Sequence, residues 1–175
     1  DVRAVDNSGH GLSVVTTNTV SISGVAATDN DDGGVEVESG QPRIEEPGDG
    51  EQVEAPVPSD RSDATASLPP AADVSVTDVR AVNNTFYGVD VFTDGRAVVS
   101  NVTVRDGTGI FGVEAANGSV TDVTVENVST VPDEVGEGIP ITPENPYGPA
   151  RAALLVSFAE SGTVSGASLV DNSGG

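Results

Sequence analysis

The chain reads as an all-β solenoid, and three observations carry that reading. A six-residue phrase recurs as Val76-Thr77-Asp78-Val79-Arg80-Ala81, Val99-Ser100-Asn101-Val102-Thr103-Val104 and Val120-Thr121-Asp122-Val123-Thr124-Val125. Its central valines are 23 and then 21 residues apart, and a fixed period of that size marks stacked structural units. All eleven prolines lie outside the phrase, at 42–70 and 132–149. Proline cannot donate to a sheet ladder, so the repeats read as sheet and the proline-bearing stretches as loops.

Aligned on the phrase, the 175 residues give about six coils of roughly 22 residues, anchored at Val2, Val25, Val79, Val102, Val123 and Ala167. The steps are 23, 54, 23, 21 and 44. The two long steps hold insertions, at about 40–72 and about 130–150. The first is acidic and rich in Pro, Gly and Ser, a composition that buries little apolar surface. The second carries Ile139, Ile141 and Tyr147. Long loops on a rigid solenoid are where function tends to sit.

Within a coil the apolar residues fall into columns. One runs Ile22, Val76, Val99, Val120, Val164; another is the anchors; a third runs Ala4, Ala27, Ala81, Val104, Val125, Leu169. A second strand, introduced by glycine, gives Leu12, Val35, Val89, Val113, Leu154 and then Val14, Val37, Val91, Ala115, Val156. Alternation by two turns these side chains to one face and implies a narrow Val/Ala interior. Two polar columns mark the corners. Asp1, Gly24, Asp78, Asn101, Asp122 and Gly166 precede the anchors, and Asp6, Asp29, Asn83, Asp106, Asn127 and Asp171 follow four residues after them. Gly, Asn and Asp tolerate the left-handed conformation of a tight corner. The asparagines that often come next (7, 30, 84 and 172) suit amide ladders along the stack.

Three short strands and three corners per coil resemble the right-handed parallel β-helix of the pectate-lyase-like superfamily, and the "V-T-D-V-T-V" phrase resembles haloarchaeal cell-surface repeats. A β-propeller fits less well, because its blades need about 40 residues or more. The expected fold is therefore a right-handed parallel β-helix, a single domain over residues 1–175 with two insertions. The opening Asp1-Val2-Arg3-Ala4-Val5 repeats Asp78–Val82. It reads as a fragment of a longer chain, whose ends meet further coils or identical copies end to end.

Charge bounds the partners. Seven basic and 28 acidic residues give a net charge of −21, and every basic residue is arginine. Such a surface resembles those of salt-loving archaea, where self-repulsion is screened. It argues against nucleic acid, which needs a basic footprint. There is no cysteine, and no apolar run approaches the roughly 18 residues of a membrane span.

Gly9-His10-Gly11 resembles the Gly-His-Gly of polygalacturonases within that superfamily. Those enzymes carry an Asp pair upstream and an Arg-x-Lys element after it; here Asp31-Asp32 lies downstream and lysine is absent. His10 takes the turn position held by Gly33, Tyr87 and Phe111 in other coils, so it reads as a side chain covering a corner, and no catalytic residue is assigned. The outward row on the glycine-led strand is Ser13, Glu36, Asp90, Glu114, Leu155. Carboxylates in successive coils stand about 4.8 Å apart and repel. They read as an acidic surface, or as a Ca²⁺ site of Glu36, Asp90 and Glu114 with Glu38 as a further ligand. One histidine and no cysteine or methionine argue against a copper site. No cofactor is required. Of four sequons, at Asn83, Asn101, Asn117 and Asn127, only Asn117 reads as a glycan site, at a turn tip; the others belong to corner columns.

The expected function is that of an extracellular, non-catalytic structural or adhesive surface protein presenting loops from a rigid rod. The alternative is a polysaccharide-binding or polysaccharide-degrading protein, a lyase or glycoside hydrolase.

Overall fold

A computed structural model of the chain describes residues 1–40, 71–107, 110–129 and 153–173. The insertions expected at about 40–72 and 130–150 lie outside these, apart from Gly40, Ala71 and Ala72. Within the described residues the Val- and Thr-rich segments form ten strands: β1 (Val2–Val5), β2 (Leu12–Thr16), β3 (Val20–Thr28), β4 (Gly33–Ser39), β5 (Val74–Val82), β6 (Tyr87–Thr93), β7 (Arg96–Arg105), β8 (Ile110–Glu126), β9 (Leu154–Ser165) and β10 (Ser168–Val170). No helix in the described residues is long and apolar enough to cross a membrane.

The expectation of a multi-coil right-handed β-helix is corrected. All ten strands belong to one parallel sheet with the path β1-β3-β5-β7-β8-β6-β4-β2, and β9 and β10 both pair with β8. The eight strands of this path nearly close into a barrel-like shape. The physical reason is strand length. Three short strands per repeat require the corner residues to end a strand. Instead Gly24, Asp78, Asn101 and Asp122 sit inside β3, β5, β7 and β8, bending each strand at positive φ without stopping it. β8 runs unbroken for 17 residues and serves both arms.

The columns on the first arm hold as read. Val2 pairs with Val25, Val25 with Val79, Val79 with Val102, and Val102 with Val123. Their neighbours Ala27, Val76, Ala81 and Val99 are fully buried. On the second arm Leu12, Val35 and Val89 pair in line. There the register shifts between Tyr87 and Val89, leaving Gly88 without an opposite number, and Val89 pairs with Phe111. Val113 therefore follows Val91, and Phe111, expected at a turn, is the largest fully buried side chain among the described residues. Among the described residues the buried interior is thus mostly Val and Ala, with Ile22, Ile110 and one phenylalanine.

The corner chemistry is as the residue types imply. All nine non-glycine residues at positive φ in the described regions belong to the two polar columns, with φ between 51° and 55°. Asn83 Nδ2 donates to Asp29 at 2.6 Å, Asn101 Nδ2 to Asp78 at 2.5 Å, and Asn127 Nδ2 to Asp106 at 2.9 Å. An amide stacked on a carboxylate replaces the repulsion of two stacked carboxylates with a charge-assisted hydrogen bond. Inside lies a second ladder. Asn7 Nδ2 donates to Asn30 Oδ1 at 2.8 Å, Asn30 Nδ2 donates to Asn84 Oδ1 at 2.7 Å, and Asn84 Nδ2 donates to the Ala27 carbonyl at 3.2 Å. Gly34 makes room for it, because a Cβ there would lie 2.8 Å from Asn84 Nδ2 and run into the Gly88 carbonyl.

Candidate functional site

The glycine-led ends of β2, β4 and β6 bring together four side chains far apart in sequence. His10 immediately precedes the Gly11 turn, whose N–H donates to the Gly33 carbonyl at 2.8 Å, and Gly33 pairs with Tyr87. Gly33 has no side chain, so the Tyr87 ring folds across it; a Cβ at that position would overlap the ring carbons. The ring reaches His10 two layers away and stacks on it, with centroids 5.5 Å apart and planes 25° from parallel. Tyr87 Oη lies 3.0 Å from His10 Nδ1. His10 Nε2 lies 3.3 Å from Asp32 Oδ2 and 3.6 Å from Glu36 Oε2. Ser13 Oγ donates to Glu36 Oε2 at 2.7 Å.

Burial, followed by the charges of Glu36, Asp32 and Asp90 and a hydrogen bond to Glu36, pushes the Tyr87 phenol far above its usual range. Tyr87 is therefore a neutral hydrogen-bond donor at any ordinary pH. A phenol that keeps its proton longer when folded than when unfolded costs stability once pH passes the ordinary tyrosine value of about 10. Alkaline titration of phenolate absorbance, read against Tyr87→Phe, should show Tyr87 ionising only as the protein unfolds. In Gly33→Ala, where the ring is displaced, it should ionise in the ordinary range. The same midpoint in both proteins would mean that the ring is not held across Gly33.

The acidic row predicted from sequence is divided. Ser13, Glu36 and Asp90 do stand in line, but Gly112 follows Asp90. The shift at Gly88 moves Glu114 one row along, where it pairs with Phe92; Phe92 in turn pairs with Glu38. Among the described residues no group of three or more His, Cys, Asp or Glu side chains is placed to hold a metal ion. The Ca²⁺ expectation thus loses the continuous row on which it was built.

Asn117 is also displaced from its expected setting. It lies within β8, half-buried, paired with Arg96 on one side and Ser161 on the other. It is not a turn tip. The Asp31-Asp32 pair, set aside because it lies downstream of His10, supplies a direct contact to it. The signal was present in the repeat: a 23-residue step places residue 33 over residue 10, and residue 32 beside it.

What the fold and site define is a parallel all-β scaffold carrying a half-exposed cluster of imidazole, phenol and carboxylates. No family model, curated protein or solved structure matches the chain.

Proposed function

We propose that this chain is a structural or adhesive protein of an extracellular surface, a rigid scaffold that presents polar side chains and insertions rather than turning over a substrate. One observation carries the reading: every described polar side chain that is buried is committed to holding layers together. Asn30 and Asn84 form the inner ladder, Ser39 Oγ donates to the Asn18 carbonyl, and Thr93 Oγ1 donates to the Ala72 carbonyl. None of the described buried side-chain nitrogens or oxygens lacks a partner. A core so fully satisfied is built for rigidity. The charge of −21 and the lack of lysine support a high-salt setting.

A second reading, action on a polysaccharide, is favoured by the His10–Tyr87 stack with Asp32 and Glu36, which offers donors and acceptors to sugar hydroxyls. Glycan-array binding and sugar-release assays at molar salt separate the two. The scaffold reading expects binding without release of sugar and no change in the release assay for His10→Ala. Sugar release abolished by His10→Ala would establish the second reading instead. Salt tests the setting. Melting followed by circular dichroism should rise between about 0.1 M and about 3 M KCl, because the screening length falls from about 10 Å to under about 3 Å. Equal melting at both would remove the high-salt argument.

A further inference from the structure

Three of the four sequon asparagines share one geometry, and it suits an attached glycan. Asn83, Asn101 and Asn127 are exposed, and each is held at positive φ. Each uses its Nδ2 to donate one hydrogen to the carboxylate of the preceding layer, Asp29, Asp78 and Asp106 respectively. An amide nitrogen carries two hydrogens. One orients the amide plane and the other remains for substitution. Asn117 differs, being half-buried in β8 between β7 and β9. At the neighbouring Gly118 even a Cβ would overlap the Ala97 carbonyl.

We infer that Asn83, Asn101 and Asn127 are N-glycan acceptors and that Asn117 is not, so that sugars line the two corner columns of the scaffold. The donor would be a lipid-diphosphate-linked sugar. Asn Nδ2 forms a bond to the sugar C1, the C1–O bond to the diphosphate breaks, and the proton lost from Nδ2 leaves with the phosphate. The second N–H stays with its aspartate, and the ladder survives. Exposed acceptor positions also leave the strand pairings intact, so modification does not compete with folding. Asn83 and Asn127 lie in one column, separated by the layer of Asp106. Their glycans would stand about 10 Å apart on the same edge, twice the spacing between strands.

The inference rests on the chain being exported. The test forces export by a secretion signal in a host that N-glycosylates, with recovery from the medium as proof of export, so that failure to be glycosylated is distinguishable from failure of the surface reading. Glycopeptide mass mapping should find hexose-containing mass on Asn83, Asn101 and Asn127, each at higher occupancy than Asn117. Asn→Asp at each position should remove its glycan, and the αL conformation is one that aspartate holds elsewhere in the chain. It also sets a second carboxylate against Asp29, Asp78 or Asp106 and so costs stability. Thr85→Ala, Thr103→Ala and Ser129→Ala should remove the same glycans without altering the asparagine. Secreted protein with no glycan, or with Asn117 occupied as much as any of the three, overturns the inference.

Discussion

Phe111→Ala should destabilise the protein by about 3–5 kcal/mol, the usual range for emptying a buried phenylalanine site. At this chain length that lowers the melting temperature by on the order of 10 °C. Among the described residues Phe111 is the largest fully buried side chain, and it pairs with Val89 on one side and Leu154 on the other in a core made mostly of valine and alanine. Valine is stiff at χ1, so the surroundings can collapse little into the space. Phe86, also aromatic but 62% exposed, is the control. Phe86→Ala should change stability by no more than about 0.5 kcal/mol. Chemical denaturation of the two variants decides the matter. If they cost the same, Phe111 is not in the interior, and the register of β6 on β8 is wrong.

The second large effect is expected at Asn30. Its side chain accepts from the backbone N–H and the Nδ2 of Asn7 and donates to Asn84, and it is 1% exposed. Asn30→Ala deletes three hydrogen bonds at about 1 kcal/mol each, and part of the cost is that buried Asn84 loses a donor. A loss of about 2–4 kcal/mol follows. Asn30→Asp keeps the shape but sets a carboxylate against Asn84 Oδ1, an acceptor facing an acceptor, and should be no better tolerated than alanine. Asn7 stands at the exposed end of the ladder. Asn7→Ala should cost less than about 1 kcal/mol, because water replaces what is lost. Equal losses at Asn7 and Asn30 would show that burial of the ladder does not set its contribution, and a loss under about 0.5 kcal/mol at Asn30 would show that the ladder does not bear on stability.

The candidate site was only partly legible in the chain. The αL corners could be read because a residue type reports its own backbone preference: Asp78, Asn101 and Asp122 need no neighbour to announce a left-handed bend. The acidic row could be read as far as Asp90, since Ser13, Glu36 and Asp90 follow one unbroken register. It failed at Glu114 because the glycine taken as the start of the strand, Gly112, pairs with Asp90 instead of with Gly88. A shift of this kind leaves every residue type in place and changes only its partner. Asn117 misled for a related reason. Asn-Gly is a turn signal locally, yet here β7 and β9 flank it and hold it in a strand.

The sequence by itself determined the parallel columns of the first arm, the two Asx corner columns and the amide ladders, because each follows from a period and from local preference. Tertiary structure alone decided three things. It made β8 common to both arms of a single, nearly closed sheet, since a left-handed residue bends a strand without obliging it to end. It put Phe111 inside, since the interior takes whichever side chain the register turns inward. It brought His10, Asp32, Glu36 and Tyr87 within reach of one another. That contact depends on the missing side chain of Gly33, across which an aromatic ring spans a whole layer, and no one-dimensional pattern records the space that a glycine leaves.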